Sequence, residues 1–226
     1  MPDDKTPRTI RVWDLPTRLF HWTLVLLLIF QVVTGKMAGE WLRWHFWAGY
    51  AILTLLIFRI VWGIIGSTTA RFSDFVRGPM AGVAHLKELL GPHAPKDVGH
   101  NPVGGWMVVA LILALFVQAG SGLFTTDDIL VDGPLVAKAS EGWVKAMTSL
   151  HKLWINLLFL MVALHVAAAL VYLVVKKQNL IAAMITGRKP WPFADTPKLR
   201  FVGSGVALSC LVAAAALVYL ALRVAG

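Results

Sequence analysis

Residues 150–175 read LHKLWINLLFLMVALHVAAALVYLVV, a run with no acidic side chain and with histidines at positions 151 and 165. A helix of roughly 20 apolar residues crosses about 30 Å of hydrocarbon, so this run is long enough to span a membrane. Ionisable groups inside such a helix are costly and mark functional positions by default. The two histidines are 14 residues apart. At 100° per residue that separation is about 40° short of four turns, so both rings point to one side. At about 1.5 Å rise per residue they are roughly 21 Å apart along the axis. One helix therefore presents two imidazoles in line at two depths.

Working outward, four more runs of this kind cover residues 19–35, 46–65, 103–124 and 202–222. The composition agrees. Hydrophobic residues make up 58% of the 226, charged residues 15%, and mean hydropathy is +0.70. A soluble chain carries about 25% charged residues, so a soluble enzyme and a DNA-binding domain are poor readings. Trp22, Trp41, Trp44, Trp47, Trp62, Trp106, Trp143 and Trp154 lie near the ends of the runs, where interfacial aromatic belts form. The expected fold is an all-α integral membrane protein, a four-helix transmembrane bundle with a fifth, C-terminal transmembrane helix. Residues 1–190 form the first domain and 191–226 a linker plus the additional span.

Basic residues give the direction. The segment before the first span (Lys5, Arg8, Arg11, Arg18), the loop after the second (Arg71, Arg77, Lys87, Lys96) and the loop after the fourth carry fourteen. The other side carries six, including Lys36, Arg43, Lys138, Lys145 and Lys152. The richer side is expected to be cytoplasmic, with the C-terminus periplasmic, and the net charge of +9 suits anionic membrane lipid. The first span reads as a retained helix rather than a cleaved signal. Met80, Val83, Leu86, Leu89 and Leu90 give residues 80–90 one apolar side, expected to lie on the membrane surface. The opposite loop, 125–148, is acidic (Asp127, Asp128, Asp132, Glu141) and offers a docking surface or a solvated loop. Pro190-Trp191-Pro192 reads as a linker.

The spans hold no Asp or Glu, which speaks against a proton pump or cation transporter. They hold His21, His45, His151 and His165. Because successive spans alternate in direction, depth pairs His21 with His165 near the N-terminal side and His45 with His151 near the other. Two cross-helix imidazole pairs at two depths suit two haems, each iron taking one neutral histidine nitrogen on either face. With Cys210 the single cysteine, no C-x-x-C-H exists for covalent attachment. The interval of 14 recurs: His45 to Arg59 and His21 to Gly35. Arg59 suits a haem propionate or snorkels towards the surface; Gly35 makes room for a flat macrocycle or ends its helix. His85 and His93 read as surface residues. Bundle di-iron sites need Glu-x-x-His, which is absent. A haem-free assembly or binding protein, or a transporter with structural histidines, remains the competing reading.

The opening VWDLPTRLFHW (12–22) resembles the start of bacterial membrane cytochromes b, the prokaryotic cytochrome b561 family with the cytochrome b subunits of nickel-iron hydrogenases. The resemblance continues through His45-x-x-x-Gly49-Tyr50, Arg59-Ile60-Val61-Trp62-Gly63, Ala70-Arg71-Phe72, Gly99-His100-Asn101-Pro102-x-Gly104, Ser121-Gly122, His151, His165 and Asn179-Leu180 through Met184-Ile185-Thr186-Gly187. It covers residues 10–190. It implies a bacterial inner-membrane bundle holding two non-covalent haem b groups, with His21, His45, His151 and His165 as iron ligands. It also implies electron transfer between membrane quinone and a periplasmic or membrane redox partner, whether cytochrome c or a reductase- or hydrogenase-type subunit. A four-helix branch of the family oxidises superoxide; the fifth span and the long loop after the second set this chain apart from it.

A quinone needs hydrogen-bond donors beside a haem. His100 and Asn101 arrive at the start of the third span at the expected depth of His21, with Arg18, Arg71 and Lys96 as neighbours. His100, with an ordinary pKa near working pH, is a candidate proton relay. The plainer alternative is that Asn101 caps the third span with Pro102 in its first turn.

Overall fold

A chain segment in hydrocarbon must satisfy its own backbone, and a helix does so within one segment. The computed structural model describes residues 8–37, 39–90, 97–127, 131–193 and 195–225. In chain order these form β1 (Arg8–Arg11), α1 (Leu15–Met37), α2 (Trp41–Ile65), a 3-10 turn, α3 (Phe72–Phe75), α4 (Pro79–Leu90), α5 (Pro102–Gly122), a second 3-10 turn, α6 (Glu141–Val174), α7 (Leu180–Thr186), β2 (Arg188–Trp191) and α8 (Ser204–Ala225). Helices α1, α2, α5, α6 and α8 are long and apolar enough to cross a membrane, so the protein is an all-α multi-pass bundle. The starts of α1, α5 and α8 and the ends of α2 and α6 share one side, here the N-terminal face; the other is the C-terminal face.

Helix α1 packs along α2 and α5 along α6, two antiparallel hairpins joined where α2 meets α5. Ile52, Leu56, Ile112, Leu115 and Leu158 fill that junction. Helix α8 lies against α2, where Ala207 and Ala214 allow close approach to Phe20, Phe58 and Trp62. The outward side chains are apolar: Leu26 is 67% exposed, Leu153 70% and Leu208 62%. Surface of that kind all round a bundle belongs in hydrocarbon rather than water.

The N-terminal face is closed by polar ties. β1 pairs with β2 in antiparallel register, Thr9 opposite Pro190. Gly187, at φ 79°, ends α7 in the left-handed conformation that glycine adopts freely. Its carbonyl then accepts the N–H groups of Val12 and Trp13. Asp14 Oδ1 caps the first turn of α1 by accepting from the Thr17 N–H at 2.8 Å.

Several expectations are corrected. Pro190 and Trp191 are part of β2 rather than a linker; proline is tolerated there because a two-stranded sheet has only edge strands. Residues 141–148 are not loop, since α6 starts at Glu141, capped by the Ser140 hydroxyl. The carboxylate of Glu141 suits the positive end of the helix dipole there. The spans reach beyond their apolar runs, α1 starting at Leu15 and α2 at Trp41. The 80–90 segment is helical as α4, with Met80, Val83 and Leu86 exposed along one side. Lys5, His93, Lys96 and Asp128 lie outside the described residues.

Candidate functional site

The paired histidines come from three helices. His21 of α1 faces His165 of α6 with ring centres 6.4 Å apart and planes at 50°. His45 of α2 faces His151 of α6 with centres 6.1 Å apart and planes at 80°. An imidazole–metal bond is about 2.0–2.1 Å for zinc, and the ring centre lies about 1.1 Å behind the nitrogen; two rings on opposite sides of one metal are therefore about 6–6.5 Å apart. Both pairs have that spacing. Among the spans, α6 packs closely on α5, and towards α1 and α2 its histidine rings reach across. A cleft opens beside the second pair, lined also by Gln31, Gly49, Tyr50 and Gly122.

The surroundings of the second pair repeat. His45 Nδ1 lies 3.0 Å from the Gln31 carbonyl and 3.3 Å from the Thr34 hydroxyl. His151 Nδ1 lies 2.8 Å from the Gln118 carbonyl and 3.4 Å from the Ser121 hydroxyl. A carbonyl can only accept, so each Nδ1 carries the proton and each Nε2 is left with its lone pair. The Gln118 carboxamide nitrogen lies edge-on to the same ring, 3.2 Å from His151 Nδ1 and 3.3 Å from Nε2. One turn along, a Cβ on Gly35 would come 3.2 Å from the His45 ring, and a Cβ on Gly122 2.9 Å from the His151 ring. These residues escaped the sequence reading apart from Gly35, Ser121 and Gly122. The available signal was the pattern Gln-x-x-(Ser/Thr)-Gly, present as Gln31–Gly35 and Gln118–Gly122.

The first pair differs. His21 Nδ1 is enclosed without a hydrogen-bond partner, and its ring meets Trp22 edge-on at 5.0 Å.

The donor set fits haem. Two imidazoles are too few ligands for a bare ion, and among the described residues no group of three or more His, Cys, Asp or Glu could hold one. A haem brings most of its iron's ligands with it, so two imidazoles from the protein would suffice to hold it.

The other expected residues divide. Arg59 does not snorkel: it is 2% exposed, its guanidinium 4.8 Å from the Phe72 ring centre, with one terminal nitrogen enclosed and unpartnered. A buried cation with a spare donor suits an anionic group such as a propionate. Arg18 donates to the Ile185 carbonyl and so ties α1 to the end of α7. Asn101 caps α5, its Oδ1 accepting from the Gly104 N–H at 2.7 Å, while its Nδ2 donates to the Tyr172 hydroxyl at 2.7 Å. His100 sits between Trp13 and Phe75, ring centres 4.7 and 4.6 Å away, with Nδ1 enclosed and unpartnered. Burial first, then the charge of Arg59 and the nearby His165 and His21 rings, push its pKa down to about 3. The expectation that it titrates near working pH is thereby corrected; His100 is neutral there. His85 is also corrected: it is buried, its Nε2 3.1 Å from the Tyr172 hydroxyl.

Comparison with known proteins gives the family. Residues 12–187 match the family described as prokaryotic cytochrome b561. The chain is 27% identical over 213 residues to the probable Ni/Fe-hydrogenase B-type cytochrome subunit of Azotobacter vinelandii, covering 79% of this chain and 87% of that one. Proteins of the same description from Bradyrhizobium diazoefficiens and Cupriavidus necator are 25% and 22% identical, covering 80% and 81% of this chain and 86% and 88% of theirs. No solved structure gives a significant match. The chain belongs to the prokaryotic cytochrome b561 family, multi-pass membrane proteins that transfer electrons on b-type haem.

Proposed function

We propose that the protein is a di-haem cytochrome b carrying electrons across the bilayer between the quinone pool and a redox partner at the C-terminal face. His21 and His165 hold one haem b near the N-terminal face, and His45 and His151 hold the other. The observation that carries this reading is the occurrence of two imidazole pairs, at 6.4 and 6.1 Å, at two depths along α6. Each haem, when bound, supplies a one-electron iron couple, and two histidine ligands leave no iron position for substrate.

The protein's own groups do the rest. Arg59 sets a positive charge beside the N-terminal-face haem and takes a propionate. A quinone binds at that face, where His100 is neutral and helps shape the site from between Trp13 and Phe75 rather than supplying a titrating proton. Asn101 and Arg18 shape the site by holding Tyr172 and α7. The N-terminus is cytoplasmic, on the side of the basic loops and anionic lipid. Residues 1–191, β2 included, form the haem-binding domain and 192–226 the linker and added span. The relatives are described as probable Ni/Fe-hydrogenase B-type cytochrome subunits, which favours a hydrogenase-type membrane complex as partner over a soluble cytochrome c.

The test is a set of four single His→Ala variants followed by spectral potentiometry. His21→Ala and His165→Ala are expected to lose the same haem component, and His45→Ala and His151→Ala the other. Loss of one component by both His21→Ala and His45→Ala overturns the pairing. Protein yield is measured alongside, because haem binding stabilises the fold by linkage.

A further inference from the structure

The repeat at residues 31–35 and 118–122 recurs in structure as well as in sequence. In each copy a glutamine carbonyl accepts from a histidine Nδ1, at 3.0 Å for His45 and 2.8 Å for His151. In each a hydroxyl three residues on lies 3.3 or 3.4 Å from the same nitrogen. In each a glycine four residues on lets the imidazole lie against the helix backbone, with no space for a Cβ that does not press on the ring. In each the glutamine Oε1 is enclosed without a partner. One copy is on α1 and serves α2; the other is on α5 and serves α6. Both serve the pair near the C-terminal face, whereas His21 Nδ1 in the other pair has no acceptor.

We propose that Gln31–Gly35 and Gln118–Gly122 are two copies of one imidazole clamp that makes the C-terminal-face haem the lower-potential one. This rests on the four-histidine reading above. An Nδ1–H held on a carbonyl increases the basicity of the ring and its donation through Nε2. Stronger donation stabilises the oxidised, more positive iron more than the reduced iron, and so lowers the potential. His45 and His151 are both clamped in this way. Gln31, Thr34, Gly35, Gln118, Ser121 and Gly122 are positioning residues that act through the ligand.

The test uses the full-length holoprotein in nanodiscs and three glycine variants. Gly35→Ala and Gly122→Ala push the ring off its carbonyl. Gly120→Ala, on the same helix with nothing within 4 Å of its added Cβ, is the control, and alanine favours the helix in all three. Redox titration is expected to show two components in the wild type, the lower one missing in His45→Ala and His151→Ala. In Gly35→Ala and Gly122→Ala the lower component shifts upward by a threefold or greater change in its oxidised-to-reduced ratio at fixed potential, tenfold being about 59 mV for one electron. The higher component and Gly120→Ala stay unchanged. Infrared redox-difference spectra with 15N-labelled histidine are expected to show a weakened Nδ1–H hydrogen bond in the same two variants. Selective loss of the lower component in Gly122→Ala, with Gly120→Ala intact, supports the clamp as well. Two components whose potentials do not move, or a shift in the higher one, overturns the clamp alone. A single component in the wild type rejects the four-histidine reading beneath it.

Discussion

The carboxylate of Asp14 accepts a hydrogen bond from the indole N–H of Trp62 at 3.1 Å, linking residues that are 48 apart in sequence and both fully buried. The contact fastens the start of α1 to the end of α2, two turns before His21, and so sets how deep His21 lies. Hydrogen bonds to a charged group contribute about 1.5–3 kcal/mol, and removing the acceptor leaves the Trp62 and Thr17 donors unpaired. Asp14→Ala is expected to lower the thermal unfolding midpoint of the purified holoprotein by an amount equivalent to about 2–3 kcal/mol. Asp14→Asn, which keeps an acceptor oxygen, is expected to lose less. Equal midpoints for all three proteins contradict this account of α1.

Asn101 both caps α5 and donates to Tyr172 on α6. Asn101→Ala is expected to cost about 1 kcal/mol for the cap alone, and Tyr172→Phe about 0.5–1.5 kcal/mol. The double variant is expected to fall short of their sum, because both remove the same bond. Additive unfolding midpoints contradict the link between these helices.

The spans and the histidine pairs were legible because hydrocarbon demands long apolar runs and makes each ionisable residue conspicuous. The relative depths of His21, His45, His151 and His165 followed from helical rise and the alternating direction of the spans. What lay outside the apolar runs was less legible. The α6 extension from Glu141 is polar, and β2 contains a proline. His85 lies on a helix whose apolar side chains Met80, Val83 and Leu86 point outward, so its burial against Tyr172 depends on tertiary packing. The clamps were missed because a carbonyl acceptor leaves no trace in residue type; only the repeated Gln-x-x-(Ser/Thr)-Gly pattern pointed to them.

His100 links pH to stability. Its pKa falls from 6.5 to about 3 on folding, so between those values the unfolded chain binds a proton that the folded protein refuses. Stability then rises with pH across that window. It is lost as pH falls from about 6.5 towards 3 and is independent of this group above it. His100→Phe, which keeps a ring between Trp13 and Phe75, is expected to flatten the acid limb of the unfolding midpoint against pH. An unchanged acid limb contradicts the burial of a neutral imidazole.

Arg59 brings a buried positive charge to the N-terminal-face site. Removing it favours the oxidised, more positive iron, so Arg59→Met is expected to lower the potential of the component that His21→Ala removes. Arg59→Lys, which keeps the charge but not the planar fork, is expected to give a smaller change. A shift confined to the component that His45→Ala removes contradicts the placement of Arg59.

The most direct test of the central claim is a haem count on the purified chain. Pyridine haemochrome analysis, set against quantitative amino-acid analysis, is expected to give two b-type haems per chain, all released by acid-acetone. One haem per chain, or pigment left on the protein after extraction, contradicts two non-covalent haems on four histidines.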